Sequence, residues 1–381
     1  MALKLLSLNV RGLASARKRD CFLHELDRLD YDVYFLQETH ASCKRSADLF
    51  ANAWKGQCLW SFGLGKSAGV AILFSPNFSG KIIRYLHDFD GRILSVLVEI
   101  DSVKINLVCL YAPNTVSDRR VFFENVHAFF LSQGSLVLGG DFNCIDSDID
   151  RMNIKSDFSA DKRVLSTLKA DFCLVDVWRK RNPSVISYTW ANSDFSQASR
   201  LDRFFISRSL FSLVRSNKCF PCSLSDHDYV DLVLSPCNGN PRGSGVWKFN
   251  CDLLADSEFV AKMHDLILSY HSLIPSFASL GAWWEDLKVS IRRACVDFSV
   301  QKRKRLNRDR DLLTKQLIRA KQLVFSGDSR FVDTVNDLET KLTSLINKSC
   351  EGVKIRSRAR WLEEGEKPTR FFFSRGIVEI N

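Results

Sequence analysis

Six apolar, strand-like runs in the first 230 or so residues each begin or stop at a carboxylate, amide, imidazole or phenol. Asn9 follows Leu-Leu-Ser-Leu, Glu38 follows Val-Tyr-Phe-Leu-Gln, and Tyr111 closes Ile-Asn-Leu-Val-Cys-Leu. Asp141 and Asn143 follow Leu-Val-Leu-Gly-Gly, Asp202 opens Arg-Phe-Phe-Ile, and Asp226 and His227 precede Tyr229 to Leu234. A carboxylate at the end of a buried strand is costly to desolvate unless it binds a metal or hydrogen-bonds to a neighbour. One such residue is ordinarily a surface charge; a set repeated down the chain implies a shared polar site at strand ends.

The periodicity predicts strands over 3–10, 33–37, 68–74, 93–100, 103–110, 136–138, 185–190, 203–206 and 229–234, with helices over 17–29, 118–131 and 162–170. Mixed strands and helices over 1–236 predict an α/β fold, a four-layer sandwich of two facing mixed sheets under outer helices. Residues 237–250, rich in Gly and Pro, form a linker, and 251–381 a helical, basic segment. In that segment 283–323 is charged and helical. Phe331, Val335, Leu338, Leu342 and Leu345 make one heptad-like face, and Gly327-Asp328-Ser329 lets two helices fold back as a hairpin. The chain ends at Asn381 without a closing element, as a truncated larger protein would.

Residues 1–236 carry 29 Lys/Arg against 26 Asp/Glu, and 237–381 carry 25 against 18, so the basic excess sits in the second part. Such an excess favours anionic partners. Lys302-Arg303-Lys304-Arg305 reads either as the wet face of a long helix or as a nuclear-entry signal or nucleic-acid contact. The twelve cysteines are scattered through apolar contexts, which suits reduced, buried thiols; Cys219 and Cys222 lack a second pair to complete a zinc site. Asn9 and Arg11 interrupt the N-terminal apolar run, so it is no secretion signal, and no apolar stretch is long enough to span a bilayer. The expected setting is soluble and intracellular, nuclear if the basic run is an entry signal and otherwise cytoplasmic, with no membrane partner.

Taken together, Leu-Asn-Val-Arg-Gly-Leu (8–13), Phe-Leu-Gln-Glu-Thr-His (35–40), Leu-Tyr-Ala-Pro-Asn (110–114), Gly-Gly-Asp-Phe-Asn (139–143), Arg-Leu-Asp-Arg (200–203) and Ser-Asp-His (225–227) resemble the endonuclease/exonuclease/phosphatase superfamily over about residues 3–235. The Gln-Glu-Thr-His wording and the Gly-Val-Ala-Ile-Leu run are most similar to the endonuclease of LINE-type (non-LTR) retrotransposons. The segment Ser357 to Phe373 is similar to the stretch that precedes the reverse transcriptase there. No Tyr/Phe-x-Asp-Asp polymerase motif is present.

The resemblance implies a Mg²⁺-dependent endonuclease, with Mn²⁺ able to substitute, that nicks one strand of double-stranded DNA. Element RNA is an implied further partner of the basic C-terminal part. A hard cation prefers carboxylate, amide and water oxygens, and Glu38, Asn9 and Asp226 are the implied metal residues. Asp141 would orient or deprotonate the attacking water, and the flanking Gly139 and Gly140 would leave room for phosphate or water. Asn143 and Tyr111 would donate to the phosphate, and His227, its tautomer fixed by Asp202, would face it as a donor. Arg11, Thr189, Ser225 and Arg200 are implied nucleic-acid contacts. Arg11 departs from the animal abasic-site enzymes, which have an acidic ligand there; a guanidinium cannot bind Mg²⁺ and would address DNA phosphate instead. Alternatives are an abasic-site or exonuclease III-type repair enzyme, a phosphoinositide or sphingomyelin phosphodiesterase, and a catalytically decayed nucleic-acid-binding remnant.

Overall fold

The computed structural model describes residues 2–63, 68–152, 159–235, 249 and 251–364. Apolar runs form β1 (Leu3–Asn9), β2 (Val33–Gln37), β3 (Gln57–Ser61) and β4 (Val70–Phe74). β5 (Lys81–His87), β6 (Ile93–Ile100), β7 (Val103–Tyr111), β8 (Ser135–Asp141) and β9 (Leu174–Asp176) follow. A short hairpin, β10 (Trp190–Ala191) and β11 (Ala198–Ser199), leads into β12 (Asp202–Ser207), β13 (Val214–Ser216), β14 (Cys219–Phe220) and β15 (Tyr229–Leu234). One sheet has seven strands, ordered β13-β15-β1-β2-β4-β3 with β14 also on β15, and the other has six, ordered β5-β6-β7-β8-β12-β9. Only β1/β2 and β7/β8 run parallel within them, so both sheets are mixed.

The inner faces meet in one apolar core that includes Leu5, Phe35 and Ile72 from the first sheet and Val96, Leu107 and Val137 from the second. Outside the first sheet, α1 (Ala16–Leu29) and α2 (Lys44–Ala51) bury Phe22, Leu26 and Phe50. Ser15 caps the start of α1 by accepting from the Lys18 N–H, and the left-handed Asp30 ends it. Outside the second sheet, α3 (Val116–Asn125) and α4 (Ala160–Asp171) bury Phe123, Leu165 and Leu168. A short α5 (Val177–Arg181) follows β9. Four layers result, as the pattern predicts.

The strand expected over 185–190 shrinks to Trp190–Ala191. At its start the Val185 carbonyl, with those of Asn182 and Pro183 before it, accepts from one guanidinium nitrogen of Arg179, a side chain in place of a ladder partner. β3 and β5, not expected, are the outer strands of their sheets and only partly buried.

Beyond the sandwich come α6 (Ser257–Ser272), α7 (Leu280–Phe325) and α8 (Val332–Glu364). α7 and α8 fold back on each other as the sequence predicts, and Gly327 takes the left-handed backbone (φ 100°) that lets the chain turn. The α8 seam uses Val335, Leu338, Leu342 and Ile346; Ile346 replaces the expected Leu345, because two successive steps of four carry the stripe there. The expected linker lies outside the described residues apart from Phe249, as does the end of the Ser357–Phe373 segment. No helix among the described residues is long and apolar enough to cross a membrane.

Candidate active site

Two parallel pairings aim the strand ends. Asn9 of β1 lies opposite Gln37 of β2, and Tyr111 of β7 lies opposite Asp141 of β8, so Asn9, Glu38, Tyr111 and Asp141 leave their strands at one edge. Antiparallel neighbours reach that edge through their first residues. Asp202 opens β12 directly across from Asp141, and His227 bridges to Trp190 just before β15 begins.

The glycines before Asp141 serve the sheet and not the substrate. A Cβ on Gly139 would meet the Phe204 ring at 2.3 Å and Phe35 at 2.5 Å, and one on Gly140 (φ 148°) would strike the Leu110 carbonyl oxygen at 2.0 Å. The reading of open space for a phosphate is therefore corrected: both positions are filled by the core.

His227 Nδ1 lies 2.8 Å from Asp202 Oδ2, with both side chains buried. Burial alone would lower the imidazole pKa, but Asp202, backed by Asp141, outweighs it and raises it. Since Nδ1 is committed, Nε2 is the ring nitrogen left for the cleft. Asp141 is pushed the other way from an ordinary carboxyl: burial and the Asp202 charge raise its pKa, and His227 with the Asn143 N–H offset only part of that. A carboxyl of raised basicity beside a cationic ring is suited to proton transfer.

Asn9 joins the two sheets' carboxylates. Its Nδ2 donates to Glu38 Oε1 and to Asp141 Oδ2, both at 3.0 Å, while its Oδ1 accepts from the Arg11 N–H at 3.0 Å. The amide nitrogen, and not the oxygen expected for a metal ligand, faces the carboxylates. Arg11 Nη1 pairs with Asp226 Oδ2 at 2.9 Å, and Trp190 Nε1 donates to the same oxygen at 3.2 Å. On the other side Asn143 Nδ2 donates to the Ala112 carbonyl at 2.8 Å and to Asn114 Oδ1 at 3.0 Å, and the Tyr111 hydroxyl donates to Asn114 Oδ1 at 3.4 Å. Burial and nearby Glu38 push the Tyr111 hydroxyl pKa above its ordinary value, so it stays a donor. Arg11, Glu38 and Asn143 hold left-handed backbone (φ 46°, 49° and 48°), a cost of about 1–3 kcal/mol each that tends to collect at functional sites.

A cleft of about 330 Å³ is lined by Arg11, Glu38, Asn114, Asp141, Asn143, Trp190, Leu201, Asp226 and His227. The chemistry of its donors fits a hard divalent cation. Glu38 Oε2 has His40 Nε2 at 3.8 Å, and Asp226 Oδ1 is buried with no hydrogen bond. Such unsatisfied carboxylate oxygen is what a cation compensates. Ligating atoms of Asp141, Asp202 and His227 also lie within 4.8 Å of one another, but Asp202 and His227 are already bonded together.

Three expected nucleic-acid contacts turn out to be structural. Arg200 is fully buried, and its guanidinium binds Asp150 (2.9 and 2.8 Å) and Asp176 (2.6 Å), so it cannot reach a backbone phosphate. Thr189 is buried too; its Oγ1 accepts the N–H groups of Leu201 and Asp202 at 3.0 Å and so seats the start of β12. Ser225 Oγ donates to the Asn9 carbonyl at 2.6 Å and accepts the His227 N–H at 3.2 Å, tying that loop to β1. Arg11 alone of the four is exposed beside the cleft. Asn114 stands inside the quoted Leu-Tyr-Ala-Pro-Asn motif and Trp190 at the end of the expected 185–190 strand, and neither is among the expected site residues; a role beyond packing shows only once Asn143 and Asp226 are seen as their partners. The basic run lies along α7, where Lys302 and Arg305 meet Asp256 and Glu258 in mostly exposed pairs, as on a solvated helix face. Burial pushes the thiols of Cys219 and Cys222 up to about 12.

A model of the endonuclease/exonuclease/phosphatase family matches residues 6–227. The Transposon TX1 uncharacterized 149 kDa protein of Xenopus laevis is 30% identical over 382 residues; the match covers 98% of this chain, which spans only 29% of that protein. The exodeoxyribonuclease of Bacillus subtilis is 25% identical over 258 residues, which is 61% of this chain and all of that protein. Among solved structures, the AP endonuclease LMAP from Leishmania major superposes with a TM-score of 0.51 at 18% identity, over 62% of this chain and 88% of that one.

Proposed function

The chain belongs to the endonuclease/exonuclease/phosphatase family, and on that premise we propose that it is a Mg²⁺-dependent DNA endonuclease that nicks one strand and leaves a 3′-hydroxyl, as the target-site step of a retrotransposon requires. One observation carries the reading: Glu38, Asp141, Asp226 and His227, from three distant parts of the sequence, line a single cleft. Likeness along almost the whole chain to a transposon protein favours target nicking over repair. In this reading residues 1–236 are the nuclease domain and 251–381 a helical region that leads toward a polymerase.

Glu38 and Asp226 would hold the Mg²⁺, with Asn9 joining only if its amide turned over and gave up the Arg11 bond. Once bound, the ion neutralises phosphate charge and acidifies a water. Asp141, with its raised basicity, takes a proton from the attacking water. His227, held by Asp202, presents its second ring nitrogen to a phosphate oxygen as a charged donor, where fixed donors stabilise the developing charge. Asn114, which accepts from Tyr111, fixes the Asn143 amide at the edge of the cleft, and Arg11 contacts the flanking backbone. Contacts of this kind address phosphate and leave sequence choice to groove shape.

Glu38→Gln is expected to raise the Mg²⁺ concentration for half-maximal nicking by about tenfold or more, as loss of a metal-site carboxylate does. An unchanged Mg²⁺ titration would remove Glu38 from the metal site. The repair alternative is separated by substrate. The chain is expected to cut intact supercoiled plasmid at least as readily as a duplex with one abasic site; a strong abasic preference would favour a repair enzyme.

A further inference from the structure

The loops that carry Asp226, His227 and Trp190 are gripped from behind by the α7–α8 hairpin. Lys321 of α7 is 93 residues from Asp228, yet its Nζ lies 3.1 Å from Asp228 Oδ1 and 3.2 Å from Glu339 Oε1 of α8. The Lys321 and Asp228 side chains are only 13% and 12% exposed. Asp228 directly follows His227 in the chain, and its N–H donates to the Thr189 carbonyl at 2.7 Å, next to Trp190. Three more contacts repeat the arrangement. Thr343 Oγ1 donates to the Ser223 carbonyl at 3.3 Å, and the Phe325 ring packs edge-on against Tyr188 at 4.9 Å and tilted against Phe195 at 6.2 Å.

An apolar seam that includes Phe195, Ala191 and Leu224 also joins these loops to the hairpin. A cavity of about 500 Å³ separates them from the hairpin and shares Arg11, Trp190 and Asp226 with the catalytic cleft. Beside this cavity, where apolar packing is missing, the stretch around Asp228 is held by polar ties, of which the Lys321 ion pair is the buried charged one.

We infer that the helical hairpin is part of the catalytic architecture, with Lys321 the positioning residue that sets Asp226 and His227 in the cleft. The catalytic meaning rests on the nuclease reading above; the mechanical tie does not. Removing the ammonium leaves two half-buried carboxylates unpaired, and Asp228 gains by swinging toward water and taking the adjoining His227 peptide with it.

The test uses the whole chain as Lys321→Met, Lys321→Met with Asp228→Asn, and Lys341→Met, whose pair with Asp337 on α8 is exposed (58% and 57%). Two readouts are taken: amide hydrogen exchange over 223–230, and kcat and KM for nicking supercoiled plasmid. Lys321→Met is expected to exchange about tenfold faster over 223–230, with β6 and α4 unchanged, and to lose about tenfold in kcat with KM within about twofold. Adding Asp228→Asn removes the orphaned charge and is expected to restore most of both, and Lys341→Met should match wild type. Unchanged exchange and kcat in Lys321→Met overturn the inference, and so does a global loss of protection that Asp228→Asn fails to rescue. If the wild-type chain nicks nothing, the nuclease reading fails, and exchange over 223–230 alone decides the positioning role.

Discussion

Alanine at His227 is expected to slow nicking of supercoiled plasmid by about 10²- to 10⁴-fold, the range for losing a positioned acid or base, with KM for DNA little changed. The ring is the group that combines a raised pKa with a free nitrogen at the cleft. Its bond to Asp202 ties the loop before β15 to β12, so the variant's fold is checked by circular dichroism, and with the fold intact the loss should fall on kcat. Asp202→Asn is expected to reproduce much of the defect. An amide at that position cannot hold the 2.8 Å bond to a charged imidazole as a carboxylate does, and ring tautomer and orientation go with it. The double variant should be little worse than either single one, because residues acting as a unit are not additive. Nicking by His227→Ala within about threefold of wild type, against that 10²-fold expectation, would take the imidazole out of the reaction.

The second large effect is on stability. Arg200→Met is expected to cost about 3–5 kcal/mol, because removing one partner of a buried charge network strands the others. Arg200 is wholly buried and answers both Asp150 and Asp176, and Asp150 also receives Arg179. Burial would raise the Asp150 pKa, but the two guanidinium groups hold it at about 2, below the usual 3.8. A depressed folded-state pKa contributes stability above pH 3.8 that is lost as pH falls toward 2, worth about 2 kcal/mol in order of magnitude. Wild type should therefore weaken over that acid window, and Arg200→Met should already be weakened at neutral pH. Urea unfolding followed by circular dichroism measures both. A variant that keeps its urea midpoint but loses DNA affinity would mean that Arg200 contacts nucleic acid after all.

The strand-end residues were legible as a set, because each stands where an apolar run stops or starts: Asn9, Glu38, Tyr111 and Asp141 at the end of theirs, Asp202 and His227 at the start of theirs. What eluded the sequence depends on partners far away in the chain. Arg200 stands beside Asp202 in a polar stretch and gives no sign that Asp150 and Asp176 enclose it. The Asn9 amide could have turned either way until the Arg11 N–H took its oxygen. Gly139 and Gly140 look like room for a ligand until Phe204 and Leu110 are seen against them. β3 and β5 lie at sheet edges, where one side faces water and the apolar alternation fades. The tie between Lys321 and Asp228 joins two segments that the sequence reads as separate units.

The central claim is that one cleft of Glu38, Asp141, Asp226 and His227 cuts DNA with a divalent ion. The direct test incubates the purified chain with supercoiled plasmid in Mg²⁺ and in EDTA, then asks whether a DNA polymerase extends the products. Open circles that form only with Mg²⁺, carry extendable 3′-hydroxyl ends and vanish in Asp141→Ala are the expected result. Equal nicking in EDTA, ends that a polymerase cannot extend, or full activity in Asp141→Ala would contradict it.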